Sequence, residues 1–234
     1  SWEIDARETL LALGGQKPDW LIVDHYALDK SWETILRPKV EKITVIDDLA
    51  DREHDCDILL DQNFYLDRQN RYNNLVPLSC TKFLGPEFAL LRPEFSSAKK
   101  NRIKNIGEIK RIFVFFGGTD QENLTSKTLV ALSIPDLNHL EVEVVIGANN
   151  PHREQIEALV KRRNKTMLHV QTNNIAEIMA RSDLAIGAGG TTNWERLYLE
   201  LPSLVITVAE NQVKIANDLN KVGLIKHLGY FDKV

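Results

Sequence analysis

The sequence predicts an α/β fold in which parallel sheets are divided between two domains. Three observations support this prediction: short β-branched runs alternate with helical patterns, Gly-Gly-Thr twice follows an apolar run, and the periodicity lapses once, near residues 91–101. Alternation of strands and helices is typical of parallel sheets that are covered by helices. The chain of 234 residues is long enough for one large or two smaller cores, and we expect two.

The predicted strands are short apolar runs rich in Val, Ile and Phe. They cover residues 20–24, 43–47, 57–61, 111–116, 142–147, 167–170, 184–188 and 203–207. Helical patterns lie between them, and one of these, residues 4–13, precedes the first strand and is closed by Gly14-Gly15. Several strands end in Asp or Gly, and ligands of open parallel sheets bind beyond the carboxyl ends of strands. Functional side chains are therefore expected at those ends.

The domain boundary is predicted where Pro, Ser and Lys accumulate before the strand that begins at Arg111. We assign residues 1–95 to the first domain, 96–106 to a linker and 107–234 to the second domain. The first domain opens with a helix, whereas a doubly wound domain normally opens with a strand and a Gly-rich turn. That opening unit is expected to be missing from this chain.

Composition excludes several classes of function. No apolar stretch approaches the ~20 residues of a membrane-spanning helix, and the first residues do not resemble a signal peptide. We therefore expect a cytoplasmic protein. The net charge of −4 argues against a nucleic-acid surface, and the one dense basic run, residues 161–165, is expected to be a solvated helix end.

Cysteine and histidine usage predicts neither a disulfide framework nor a metal site. Cys56 and Cys80 form no Cys-x-x-Cys motif, and the six histidines have no ligand spacing.

The two Gly-Gly-Thr turns, at residues 117–119 and 189–191, are the strongest functional signal. Glycine lets backbone amides approach an anion closely, and a following helix N-terminus supplies further free N–H groups. Two such turns in one domain favour a phosphate site. An alternative remains for the second turn, in which Thr192 caps the next helix and Glu195 completes a capping box.

Four stretches of the chain together carry a family resemblance. They are Asp24-His25-Tyr26; residues 46–63 with Ile46-Asp47-Asp48-Leu49-Ala50-Asp51-Arg52; residues 85–92; and Gly187 to Arg196 continuing to Leu201-Pro202-Ser203 and Glu210-Asn211-Gln212. The sequence resembles the UDP-2,4-diacetamido-2,4,6-trideoxy-β-L-altropyranose hydrolases of pseudaminic acid biosynthesis, over nearly the whole chain.

This resemblance implies a glycosyltransferase-B-like fold of two Rossmann-like domains, the first without its opening strand and Gly-rich loop. It implies a hydrolase in which water attacks the anomeric carbon and releases UDP without a metal or cofactor. The free sugar then goes to the nonulosonic acid of flagellin or surface polysaccharide. The partner is a UDP-sugar, with neither nucleic acid nor membrane, and we expect a monomer or weak oligomer.

The resemblance also assigns residues. The positions implied to bind UDP are Gly118, Thr119, Ile175, Gly190, Thr191, Thr192, Glu195 and Gln212. Glu195 would accept hydrogen bonds from the ribose diol, and the segment around Ile175 would pair with uracil, although this segment also reads as the start of a helix. Tyr26 and Asn211 are the implied catalytic residues on the sugar side. A solvent-exposed aromatic and a helix cap, respectively, are their alternatives.

The sequence departs from the family at its catalytic base. That base is a histidine in a Gly-rich loop after the opening strand, and no matching motif occurs in the given residues. Loss of a general base lowers a rate by about 10²–10⁴-fold, so nucleotide binding is expected to exceed turnover. Two other functions stay open: a UDP-sugar glycosyltransferase of the same fold, and a non-catalytic nucleotide-sugar binding protein.

Overall fold

The computed structural model describes residues 1–102 and 107–234, which form two compact units, Ser1–Leu90 and Leu91–Val234. The first unit, described throughout, is built on a four-stranded parallel sheet in the order β1-β2-β3-β4. Its strands are β1 (Trp20–Val23), β2 (Lys42–Ile46), β3 (Ile58–Asp61) and β4 (Thr81–Leu84), and its α-helices are α1 (Trp2–Ala12) and α2 (Lys30–Leu36).

The core of the first unit lies between its sheet and α2. Ile43 and Val45 alternate along β2 toward this core, where Trp32 and Leu36 of α2 meet them. Period-two alternation places every second side chain on the same face of a strand, so the helix covers that face. The sheet edge that follows the carboxyl ends of the strands is left for loops.

The described residues of the second unit contain a six-stranded parallel sheet in the order β10-β9-β8-β5-β6-β7. Its strands are β5 (Arg111–Phe115), β6 (Glu141–Ile146), β7 (Thr166–Val170), β8 (Leu184–Ala188), β9 (Ser203–Thr207) and β10 (Lys226–Tyr230). Its α-helices are α3 (Pro93–Asn101), α4 (Leu124–Ala131), α5 (Arg153–Arg162), α6 (Ile175–Ala180), α7 (Thr192–Tyr198) and α8 (Glu210–Lys221). The chain builds one half of the sheet outward from β5 and then returns to β8, so β5 and β8 flank the topological switch point.

Both faces of this second sheet are buried. On β5, Ile112 and Val114 belong to one apolar cluster with Leu129 of α4, whereas Phe113 belongs to another with Phe95 of α3. The sheet is therefore doubly wound, as the near-continuous apolar runs predict.

Three features differ from the sequence prediction. Strands β4 and β10 were not predicted; both are edge strands, which pair on one side only. The predicted boundary, with a first domain of 1–95 and a linker of 96–106, differs over residues 91–101: residues 91–95 already belong to the second unit, and residues 96–101 form the end of α3 there. Pro93 starts this helix, and Phe95 and Ala98 bury its apolar side. Residues 103–106 of that linker lie outside the described residues.

The basic run 161–165 is only partly a solvated helix end. Arg163 is 5% exposed, and its guanidinium donates to the carbonyls of Leu132, Leu137 and Leu140. A buried guanidinium is tolerated where carbonyl oxygens accept its protons. As for membrane association, no helix within residues 1–102 and 107–234 has the length and apolar character to span a bilayer.

Candidate functional site

The two Gly-Gly-Thr turns follow neighbouring strands at the switch point of the second unit. Phe115 at the end of β5 pairs with Gly187 of β8, so the turns leave the same edge of the sheet side by side. Gly117 has φ +96°, a left-handed conformation that favours glycine. The local sequence thus brings the two turns together at the position where open α/β sheets bind ligands.

Both turns carry free hydrogen-bond donors. Among the described residues, the backbone N–H groups of Gly118, Thr119, Gly190 and Thr191 have no acceptor. Free N–H groups in tight turns form concave sites for anions, since the amide dipoles converge on one point. This edge of the sheet is therefore suited to a negatively charged oxygen.

The first turn does not lead directly into a helix, contrary to the sequence prediction. Helix α4 begins only at Leu124, and the Asp120 carboxylate accepts the N–H groups of Leu124 at 3.0 Å and of Thr125 at 2.9 Å. These amides of α4 are already satisfied by a side chain. Donors on this side of the site must come from the turn itself.

A third glycine, which sequence reasoning missed, shapes the same edge. Gly147 follows β6 and donates its N–H to the Gly118 carbonyl at 3.0 Å. A Cβ atom on Gly147 would lie 2.6 Å from that oxygen and 2.9 Å from the Gly118 Cα atom. The signal in the sequence was the same as for the other turns, a glycine directly after an apolar strand.

A cavity of about 300 Å³ opens at this edge. It is lined by predicted and unpredicted residues of the second unit: Arg92, Phe115, Gly118, Val145, Ile146, Gly147, Gln171, Thr172, Ile175, Thr191, Thr192 and Glu195. Five positions that the sequence assigned to UDP binding, Gly118, Ile175, Thr191, Thr192 and Glu195, therefore share one cavity. Thr119 is exposed beside it.

Glu195 does not form the capping box offered as its alternative role. Thr191 is the N-cap of α7 and no side chain caps this helix. The Glu195 carboxylate instead bonds to the Arg92 guanidinium, with 3.2 Å between Oε1 and Nη2. Burial raises the pKa of Glu195, and the charge of Arg92 opposes that shift. Arg92, which was not predicted as a site residue, orients this carboxylate at the cavity.

The segment expected to pair with uracil also lines this cavity, through Thr172 and Ile175. Ile175 is 7% exposed and is the first residue of α6. Asn174 is the N-cap position but makes no capping bond through its side chain; its N–H donates to Thr172 Oγ1 at 3.1 Å. The helix start that the sequence left as an alternative is thus present, and the preceding turn remains open to the cavity.

Asn211 and Gln212 lie in the first turn of α8, after the N-cap Ala209. The alternative in which Asn211 caps this helix is therefore wrong, because the helix already begins at Glu210. Gln212 packs against the second turn: a Cβ atom on Gly189 would lie 3.3 Å from its Oε1 and one on Gly190 would lie 3.7 Å from its Nε2.

Tyr26 belongs to the first unit and follows the carboxyl end of β1. It is 61% exposed, and its pKa is raised by partial burial and by the negative charge of Asp48. Asp48 follows β2 at the same edge of the sheet.

A buried acidic network supports this edge of the first unit. The Tyr72 hydroxyl lies 3.0 Å from Asp47 Oδ2 and 3.2 Å from Asp61 Oδ2, while Arg71 Nε lies 3.2 Å from Asp61 Oδ2. Burial raises the pKa of Asp61 to about 6, although the Asn63 N–H and Arg71 oppose the shift. The network anchors the loops after β2 and β3, and sequence reasoning had quoted its aspartates only as part of a motif.

The described residues form no side-chain cluster that could hold a metal ion. In the part of the chain that the structure describes, no group of three or more His, Cys, Asp or Glu side chains is arranged to hold a metal ion. Cys56 and Cys80 are free thiols whose sulfur atoms lie 3.6 Å apart.

Comparison with known proteins identifies the family. Residues 111–228 match the model of the glycosyltransferase family 28 C-terminal domain. The chain is 32% identical over 211 residues to the UDP-2,4-diacetamido-2,4,6-trideoxy-β-L-altropyranose hydrolase of Campylobacter jejuni, which covers 89% of this chain and 73% of that protein. The chain belongs to this hydrolase family. The alignments with three further curated relatives cover 49%, 43% and 39% of the length of those proteins.

Solved structures agree on the fold. This chain aligns with the MurG protein of Acinetobacter baumannii at a TM-score of 0.57 and 10% identity, over 99% of this chain and 64% of the MurG chain. It aligns with the spinosyn rhamnosyltransferase SpnG, solved with thymidine diphosphate, at a TM-score of 0.58 and 12% identity, over 97% and 64% of the two chains. The predicted α/β class with Rossmann-like, glycosyltransferase-B-type architecture is confirmed.

Proposed function

We propose that this chain binds the UDP moiety of a nucleotide sugar at the cavity of its second unit. The observation that carries the proposal is the set of four N–H groups, at Gly118-Thr119 and Gly190-Thr191, that have no acceptor within residues 1–102 and 107–234 and lie beside the Glu195 carboxylate. A diphosphate offers acceptors only and matches the amides. A ribose diol offers two donors and matches the carboxylate. The two chemistries lie side by side in UDP, as they do in this cavity.

Within this assignment, the diphosphate contacts Gly118, Thr119, Gly190, Thr191 and Thr192, with Gln212 supporting the second turn. Glu195 holds the ribose, and the turn before Ile175 meets uracil. Glycine is needed at the turns because a side chain there would keep the phosphate oxygens away from the amides. The remaining sugar-side roles belong to Tyr26 and Asn211, as the family resemblance implies.

The reaction that we propose is hydrolysis of UDP-2,4-diacetamido-2,4,6-trideoxy-β-L-altropyranose, a step of pseudaminic acid biosynthesis. Water attacks the anomeric carbon, the bond from that carbon to the diphosphate oxygen breaks, UDP leaves with the electron pair, and the proton that the attacking water loses passes to the solvent. The turn amides and threonine hydroxyls stabilise the charge that develops on the departing oxygen, which is how preorganised donors lower such barriers. In this proposal they do so without a metal ion.

Sugar transfer is the second candidate, since the solved proteins that share the fold include a named rhamnosyltransferase. Product analysis separates the two. The protein is incubated with the UDP-sugar, with and without a candidate acceptor, and UDP and free sugar are quantified. Equal amounts of UDP and free sugar support hydrolysis, whereas sugar on the acceptor indicates transfer. Bound UDP with no turnover in long incubations would leave a nucleotide-sugar binding protein.

A further inference from the structure

Arg196 is a buried cation directly beneath the second Gly-rich turn. It is 1% exposed and is among the largest fully buried side chains. Its Nη2 atom donates to the Ala188 carbonyl at 2.7 Å and to Asn193 Oδ1. Asn193 in turn donates through Nδ2 to the Gly189 carbonyl at 2.9 Å. The guanidinium thus holds both ends of the turn that carries Gly190 and Thr191.

The bonding of this guanidinium is incomplete. Among the described residues, neither Nε nor Nη1 of Arg196 has a hydrogen-bond partner, and no carboxylate of those residues forms an ion pair with it. Its sequence neighbour Glu195 acts on it from a distance, because that carboxylate pairs with Arg92. A buried cation without a counter-charge is costly unless something else supplies the negative charge.

Arg163, in the same unit, is a buried arginine whose three guanidinium nitrogen atoms all donate to acceptors of the protein. It is 5% exposed and its Nε, Nη1 and Nη2 atoms all donate, to backbone carbonyls and to Thr166 Oγ1. These partners lie around the amino ends of β6 and β7, away from the turns. In the part of the chain that the structure describes, Arg196 lacks such a set of acceptors, so burial for packing alone does not explain it.

A glycine in β8 leaves the space that the Arg196 guanidinium occupies. Gly187 lies in β8, where a Cβ atom would come 2.5 Å from Arg196 Nη1 and would overlap the Phe115 carbonyl oxygen. Gly187 does not need a positive φ, so the space that it leaves explains the glycine. Strand β8 and the Arg196 guanidinium therefore pack closely against each other below the second Gly-rich turn.

We propose that Arg196 is a positioning residue whose buried positive charge sets the anion affinity of the turn at residues 187–193, the diphosphate of the bound nucleotide being its counter-charge. This inference rests on the proposed function of the cavity. Burial lowers the pKa of Arg196 to about 10, so the group stays protonated at neutral pH. A charge in a low-dielectric interior acts more strongly than one in water, so the guanidinium attracts a diphosphate bound at the turn without touching it.

The test compares ligands with and without the diphosphate. Binding of UDP, uridine and inorganic pyrophosphate to the full chain is measured by calorimetry for wild type, Arg196→Met and Arg196→Lys. We expect Arg196→Met to weaken UDP and pyrophosphate by about tenfold or more and to leave uridine unchanged. Arg196→Lys should recover part of the loss because it restores the charge.

A second variant keeps the guanidinium and cancels its effect. Asn193→Asp places a carboxylate at the atom that already meets Arg196 Nη2. It also loses the Nδ2 donor to the Gly189 carbonyl, so Asn193→Ala, which loses that donor without adding a charge, is measured beside it. From Asn193→Asp we expect the same selective loss of UDP and pyrophosphate relative to Asn193→Ala, and this comparison decides the matter if Arg196→Met does not fold. Arg163→Met is the matched control; it removes an equally buried arginine and should keep the ratio of UDP to uridine affinity.

The results that would contradict the role of Arg196 differ from those that would contradict the proposed UDP site. If UDP and uridine weaken together in both variants, or if UDP binding is unchanged, Arg196 has no role toward the diphosphate, while the proposed UDP site stands. If wild type binds pyrophosphate in an Arg196-dependent way but does not bind UDP, the inference holds and the proposed nucleotide is wrong. If wild type binds neither pyrophosphate nor UDP, both fail.

Discussion

Replacing Glu195 with alanine tests the proposed ribose contact directly. The carboxylate lines the cavity, its side chain is 18% exposed, and only Oε1 is engaged by Arg92. Oε2 is therefore available to a diol. A hydrogen bond to a charged group contributes about 1.5–3 kcal/mol, so we expect Glu195→Ala to weaken UDP by roughly 10- to 160-fold. Little of this is lost to screening, because the group is mostly buried.

The assay is calorimetric titration with UDP and with 2′-deoxy-UDP, for wild type and Glu195→Ala. The four dissociation constants form a cycle that isolates the coupling between the carboxylate and the 2′-hydroxyl. We expect wild type to prefer UDP over the deoxy nucleotide and the variant to lose that preference. A general loss of folding would weaken both ligands equally and would leave the preference intact.

Glu94→Ala is the matched control. Glu94 also pairs with Arg92, through Nη1 at 2.9 Å, but it does not line this cavity. Its removal should therefore leave the preference for UDP unchanged. The ribose assignment is refuted if Glu195→Ala binds UDP as tightly as wild type, or if it still discriminates against the deoxy nucleotide to the same degree.

The remaining predictions concern the turns, the metal and the acidic network. Gly147→Ala should destabilise the protein by about 1–3 kcal/mol through overpacking and weaken UDP, since its Cβ would meet the Gly118 carbonyl; an unchanged melting curve and UDP affinity would contradict this. EDTA should leave UDP release unchanged, and activity that is lost and then restored by Mg²⁺ would overturn the metal-free mechanism. Asp61 has its folded pKa raised to about 6 from 3.8, so the folded state binds the proton more tightly. This group's contribution to the free energy of unfolding should therefore fall by about 2 kcal/mol as pH rises from 4 to 6. Urea unfolding across that range should show this fall in wild type but not in Asp61→Asn, and parallel pH profiles of the two proteins would disprove it.

Much of the fold was readable from local pattern because strands of parallel sheets are buried on both faces. The runs at Ile112 to Phe116 and Leu184 to Ala188 are strongly apolar, and the structure has strands there, β5 and β8. Strands β4 and β10 were missed because Thr81–Leu84 and Lys226–Tyr230 contain Thr, Lys, His and Gly and have no continuous apolar run. The other two edge strands, β1 and β7, were predicted. The sequence prediction divided helix α3 between the first domain, up to residue 95, and the linker, from residue 96, because its few buried side chains are spaced among Ser and Lys.

Some residues of the candidate site could likewise be predicted from the sequence, and others could not. The glycines at the two turns were visible in the sequence because Gly-Gly-Thr occurs twice after an apolar run. The structure gives one of them, Gly117, the left-handed φ that favours glycine. Arg92 was not, since it lies 103 residues before Glu195 and the two meet only when α3 and α7 pack in the second unit. The capping role offered for Glu195 was wrong for the same reason: a tertiary partner took the carboxylate.

By itself, the sequence determined the α/β class, the positions of the glycine turns and the family, because strand burial, turn geometry and short motifs are properties of neighbouring residues. Only the tertiary structure decided which donors remain free and which charges are paired. Asp120 satisfies the start of α4, Arg92 takes one oxygen of Glu195, and two nitrogen atoms of the buried Arg196 have no hydrogen-bond partner among the described residues. Hydrogen bonds and ion pairs depend on distances across the fold, and those distances exist only after the sheet order has brought β5 and β8 side by side.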